Sequence, residues 1–222
     1  MMTNMFSAFD PATSSSFSMN WMMASLGLIL MPTMFWILPN RNIIIVNMMM
    51  KSLHNEFKML LGKSHTITIM FIAMFIFILM NNIMGLVPYI FTSSSHMTFT
   101  LALALPMWIS IMLFGWINKT TMMLAHMIPS GTPPILMPFM VMIETISNLI
   151  RPGALAVRLM ANMTAGHILM ALLGEKITST QIIPLIILLQ MGIMMFESAV
   201  AVIQAYVFSI LSTLYSSEVI YE

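Results

Sequence analysis

Residues 66–91 read TITIMFIAMFIFILMNNIMGLVPYIF and contain no charged side chain. An α-helix needs about 20 consecutive apolar residues to cross the hydrocarbon core of a bilayer. This run is long enough, and its most polar residues are the neighbouring pair Asn81 and Asn82. The stretch therefore predicts a membrane-spanning helix over residues 66–91.

The composition of the whole chain agrees with that interpretation. Of 222 residues, 59% are hydrophobic and 7% are charged, whereas soluble domains carry about 25% charged residues. A single integral membrane domain over 1–222 is therefore expected. The net charge of +1 gives no electrostatic support for a nucleic-acid partner.

Metal and cofactor sites have little support in the sequence. The chain has no cysteine, and its five histidines stand singly, whereas haem and copper sites need facing histidines. We expect no metal and no cofactor. The 31 methionines are spread along every apolar segment, which favours apolar filler over a metal-handling surface.

The other segments complete an all-α polytopic membrane protein with about five crossing helices. Residues 41–65 are the most polar stretch of the chain, and their apolar positions recur at helical spacing, which predicts an amphipathic surface helix. These positions are Met50, Leu53, Phe57, Leu60 and Leu61. The last two helices exceed 30 residues, so a strongly tilted hairpin is expected. Besides 66–91, the predicted spanning helices are 19–38, 98–117, 135–173 and 180–215.

Lysine and arginine sort to one side of this arrangement. Five crossings leave Lys176 alone on one side. The loops of the other side carry Arg41, Lys51, Lys58, Lys63 and Lys119. The positive-inside rule places these five in the cytoplasm or the mitochondrial matrix. We expect the C-terminus on that side and the N-terminus opposite.

Ionisable residues inside spans are candidate functional residues because burying charge in a bilayer is costly. Glu144, Arg151 and Arg158 are spaced by seven and share one helix face. A structural salt bridge between Glu144 and Arg151 is one interpretation. Arg158 has no acidic residue within two helical turns, so this permanent cation needs an anion from another helix or protein.

Two further polar groups flank Arg158. His167 and Glu197 are expected on the less positive side, where they would form either a proton relay or a satisfied buried pair. Glu144 and Glu218 are expected toward the positive side. A fixed cation between two offset polar pockets prevents protons from passing straight through.

Two segments carry a specific resemblance. IETISNLIRPGALAVRLMANMTAGH (143–167) and ESAVAVIQAYVFSILSTLY (197–215) closely resemble subunit a of the F-type ATP synthase. The stretches 81–92 and 126–145 also look like that family. Bacterial members usually exchange the residues at His167 and Glu197, so this chain resembles the mitochondrial branch.

The resemblance implies a non-catalytic stator subunit of the mitochondrial inner membrane, with the N-terminus in the intermembrane space and the C-terminus in the matrix. Its implied partners are the carboxylates of the c-subunit ring, other membrane-sector and stator-stalk subunits, lipid and protons. Arg158 matches the family's essential arginine. The positions that match proton-path residues are Asn162, His167, Glu197 and Gln204 on the intermembrane side, and Glu144 and Glu218 on the matrix side. Arg151 is left unassigned.

Two other classes of function remain as alternatives. A secondary ion transporter or channel would predict inverted repeats and helices broken at the midplane, and no repeat is evident. A structural subunit of a respiratory complex is the other alternative, although the absence of paired histidines argues against bound haem.

Overall fold

The computed structural model describes residues 5–14, 17–33, 37–62, 65–128, 132–175 and 183–221. Across these ranges the chain forms α-helices and short 3-10 turns, with no β-strand. The α-helices are α1 (Met23–Ile29), α2 (Arg41–Leu61), α3 (His65–Leu86), α4 (Met97–Asn118), α5 (Thr120–His126), α6 (Met137–Glu175) and α7 (Ile183–Tyr221). The all-α fold class is confirmed.

Four of the described helices are long and apolar enough to cross a membrane, namely α3, α4, α6 and α7. The helix predicted over 66–91 ends earlier, at Leu86. Pro88 disfavours helical backbone at the residue before it, and Tyr89 then adopts a positive φ of 68°. The short helix α5 lies in a region where no helix was predicted.

The first predicted span, 19–38, differs from the structure. A 3-10 turn at Met19–Met22 leads into α1, and the helical segment ends at Ile29. A helix over 19–29 is about 16 Å long, roughly half of the 30 Å bilayer core. Pro32 lacks an N–H and disfavours helical backbone at the preceding residue, so the helix does not continue through this point. Residues 34–36 lie outside the described ranges.

Helix α2 has the amphipathic pattern that the sequence predicted over 41–65. Leu53, Phe57 and Leu61 recur every four residues and are all buried against the core. Of the other two predicted positions, Met50 is half-buried and Leu60 is 38% exposed. The helix ends before Gly62, whose φ of 52° suits glycine. Its position on the membrane surface stays a prediction.

The core lies where α3 packs along α7 and α6 packs against α4. Phe71, Phe75 and Ile78 of α3 are buried in it. Asn82 is fully buried, and its Nδ2 donates a hydrogen bond of 3.3 Å to the carbonyl oxygen of Ala201. This contact ties the end of α3 to α7 and so helps to set the position of α7.

Helices α6 and α7 contain 39 residues each, or about 58 Å at 1.5 Å per residue. They run antiparallel, since Gly166 meets Glu197 at one end and Arg151 meets Glu218 at the other. Their observed bounds lie within a few residues of the predictions 135–173 and 180–215, apart from the end of α7 at Tyr221. The strong tilt in a bilayer stays a prediction.

Candidate functional site

Arg158 lies on α6 with an exposed side chain. Within the described ranges it forms no hydrogen bond and no ion pair. It lines an open cavity of about 460 Å³ between α6 and α7, which we call the Arg158 cavity. A guanidinium keeps its proton, and the described residues place no anion within ion-pair distance of this cation.

One polar group lies toward the start of α6 and the end of α7. The Arg151 guanidinium donates a hydrogen bond of 2.7 Å to Glu218 Oε2, and its other amino group lies 3.7 Å from Glu144 Oε1. The Arg151 Cζ also lies 4.8 Å from the centre of the Tyr215 ring. We call Glu144, Arg151, Tyr215 and Glu218 the Arg151 cluster.

A second polar group lies toward the end of α6 and the start of α7. Glu197 is buried, and its Oε1 has no hydrogen-bond partner among the described residues. Glycine at 166 makes this arrangement possible, because a Cβ there would lie 2.6 Å from the Glu197 Cδ. Asn162, Glu197 and Gln204 line one cavity of about 310 Å³, which we call the Glu197 cavity.

His167 belongs to the same end of the hairpin but faces another direction. Its ring is hydrogen bonded to the backbone of Gly85 and makes an edge contact with Phe9, with 6.3 Å between the ring centres. The Nε2 atom is buried and, among the described residues, has no partner. His167 therefore lies next to the Glu197 cavity and outside the set of residues that line it.

The two groups lie on opposite sides of Arg158 along α6. At 1.5 Å per residue, Glu144 is about 21 Å from Arg158 along the helix axis, and His167 is about 13 Å away in the other direction. The structure therefore brings Glu144 together with Glu218, and Asn162 together with Glu197 and Gln204. Their roles in proton transfer stay predictions.

The sequence left two members of the Arg151 cluster without a role. Arg151 was visible on the polar stripe, and the structural salt bridge to Glu144 was one interpretation of it. Tyr215 was not singled out, although it lies three residues before Glu218, on the same helix face. Lys119 and His126 also line the cavity beside this cluster.

Metal ligation has no evident site in the ranges that the structure covers. No group of three or more histidine, aspartate or glutamate side chains there is arranged to hold an ion.

Comparisons with known proteins agree on one family. The profile of a family described as "ATP synthase A chain" matches residues 16–217. The chain is 60% identical to ATP synthase subunit a of Locusta migratoria and 58% identical to that of Anopheles quadrimaculatus, over 99% of this chain and 100% of each relative. The corresponding protein of Drosophila melanogaster is 56% identical over the same shares. The chain therefore belongs to the ATP synthase subunit a family, the multi-pass proton-channel subunits of the membrane sector.

Proposed function

We propose that this subunit moves protons through two offset half-channels in the mitochondrial inner membrane, and that Arg158 keeps the two half-channels apart. The observation that carries the proposal is the position of Arg158, an exposed cation between two polar groups without a partner among the described residues. Membership in the family supports proton transport as the activity.

Protons reach the c-subunit ring of the ATP synthase through the Glu197 cavity. Glu197 lines that cavity with Asn162 and Gln204, and the half-buried imidazole of His167 lies beside it. Imidazole groups exchange protons near neutral pH, and carboxyl groups do so when their surroundings bring their pKa into that range. These four residues therefore form the uptake half-channel.

Protons leave through the half-channel that contains Glu144 and Glu218. Both carboxylates lie at the end of the hairpin where α4 also ends and where Lys119 lies. The surplus of lysine and arginine in the loops of this side supports a matrix location for it. The C-terminus then lies in the matrix and the N-terminus in the intermembrane space. Lys63 and Lys176, which contribute to this assignment, lie outside the described residues.

The partner of Arg158 is a carboxylate on each subunit of the c ring. A carboxylate that has taken a proton is neutral and can face lipid, whereas a deprotonated one is stabilised as it passes Arg158. The arginine takes no proton from it. Each proton that crosses yields about 2.3 kcal/mol per 100 mV of membrane potential, which drives rotation and ATP synthesis in other subunits.

The test is ATP-driven proton pumping by inner-membrane vesicles that carry Arg158→Gln in the assembled complex. Pumping is expected to fall to background, because the deprotonated ring carboxylate loses its counter-charge. Arg41→Gln is the matched control, since Arg41 is an exposed arginine at the start of α2. Unchanged pumping by Arg158→Gln at normal levels of assembled complex would contradict the proposal.

A further inference from the structure

Arg151 has no role in the proposed mechanism. Its contacts are unusual for a residue of a membrane-spanning helix. A single guanidinium lies between two carboxylates from different helices, Glu144 on α6 and Glu218 on α7. A guanidinium has five donors in a planar fork, so it serves two carboxylates at once. Arg151 and Glu144 are half-buried, with 24% and 30% of their side chains accessible, whereas Glu218 is exposed at 43%.

Arg151 and Tyr215 also lie on the boundary between two cavities. Both residues line the Arg158 cavity, and both line a smaller cavity of about 50 Å³ that contains Glu144 and Glu218. Arg158 lines only the first of these, and the two carboxylates line only the second. The stacked pair of Arg151 and Tyr215 therefore separates the space beside Arg158 from the space beside the carboxylates.

The charges around the pair determine what it does. Glu144 and Asn148 approach from α6, Tyr215 and Glu218 from α7, and Lys119 and His126 from the end of α4 and from α5. With both carboxylates ionised, Arg151 neutralises one of the two charges. When one carboxylate binds a proton, the arginine stays paired with the other. Either carboxylate can thus hold the proton while the cation remains satisfied.

We infer that Arg151 is a positioning residue for proton release: it holds Glu144 and Glu218 as a relay for one proton and, with Tyr215, separates that relay from the Arg158 cavity. This inference rests on the proposed function, because it concerns the matrix-side half-channel. Two carboxylates close together without a cation retain a shared proton strongly. Loss of the arginine therefore slows release at ordinary matrix pH.

The experiment measures ATP synthesis by inner-membrane vesicles as a function of matrix-side pH, at a constant driving force. Arg151→Gln is expected to move the profile to higher matrix-side pH, because the two carboxylates then hold a shared proton without a cation beside them. Arg151→Lys keeps the charge without the fork, so a smaller shift is expected. Amounts of assembled complex are measured for each variant and used to normalise the rates.

A double variant distinguishes this role from a purely structural one. Arg151→Gln combined with Glu218→Gln removes the cation and one carboxylate together, so Glu144 no longer has a like-charged neighbour. The profile is expected to return toward that of the wild type, although rates fall because one relay group is missing. A wild-type pH profile for Arg151→Gln overturns the inference. A double variant whose pH profile is shifted as far as that of Arg151→Gln also overturns it.

Arg158→Gln, measured in parallel, separates this inference from the proposed function. Loss of synthesis in Arg158→Gln together with a wild-type profile in Arg151→Gln contradicts only the role of Arg151. Normal synthesis in Arg158→Gln contradicts the proposed function itself, and with it the relay.

Discussion

The carboxyl group of Glu197 packs directly against the backbone of α6 at Gly166. A Cβ at position 166 would lie 2.6 Å from both the Cδ and the Oε1 of Glu197, closer than real contacts allow. Only the flexible end of the Glu197 side chain would have to move, so the fold can tolerate a methyl group there. The carboxyl group of Glu197, however, cannot keep its present position once that methyl group is there.

Gly166→Ala is therefore expected to displace the carboxyl group of Glu197 while the complex still assembles. Proton pumping should fall several-fold, because the carboxyl group leaves its place beside Asn162 and Gln204. The measurement is pumping rate per assembled complex. Gly174→Ala is the control on the same helix, because a Cβ there meets nothing within 4 Å. Equal rates for both variants would show that the placement of Glu197 is not critical.

Glu197→Gln is expected to slow proton uptake without opening a leak. The amide has nearly the same shape but cannot carry a proton between neighbours, and Arg158 still separates the half-channels. ATP-driven pumping and passive proton permeability are measured on the same vesicles. Glu56→Gln removes a carboxylate from α2, where it accepts a hydrogen bond from Tyr206, and serves as the control. Normal pumping in Glu197→Gln would leave Glu197 with only a structural role.

Phe57→Ala is expected to loosen α2 from the rest of the subunit. Phe57 is 0% exposed between α2 and its neighbours, and truncation of a buried phenylalanine costs about 3–5 kcal/mol. Hydrogen exchange should therefore quicken along α2. Met59→Ala is the matched control, since Met59 on the same helix is 85% exposed. Slow exchange in both variants would mean that the buried face of α2 does not hold the helix in place.

The sequence predicted the parts of the fold that depend on local pattern. Long apolar runs identified α3, α4, α6 and α7, and helical spacing identified most of the buried face of α2, with Leu60 as the exception. The end of α1 was missed because the apolar run continues past Pro32, and hydrophobicity alone does not register the lost backbone hydrogen bond. Sequence periodicity is therefore a better guide to where helices lie than to where they end.

The site was predictable as a set of residues but less so as a geometry. The spacing of Glu144, Arg151 and Arg158 put them on one face of α6, as the shared cavities support. The contact between Arg151 and Glu218 joins residues 67 positions apart. It depends on the register of two antiparallel helices, and side-chain packing along the whole hairpin sets that register. No local pattern encodes it.

The central claim is that Arg158 prevents protons from passing directly between the two half-channels, and passive proton conductance tests it most directly. Inner-membrane vesicles with equal amounts of assembled complex receive an imposed potassium diffusion potential in the absence of ATP. Arg158→Gln is predicted to conduct protons faster than the wild type, whereas Arg41→Gln is predicted to have the same passive proton conductance as the wild type. A passive proton conductance of Arg158→Gln equal to that of the wild type would contradict the account.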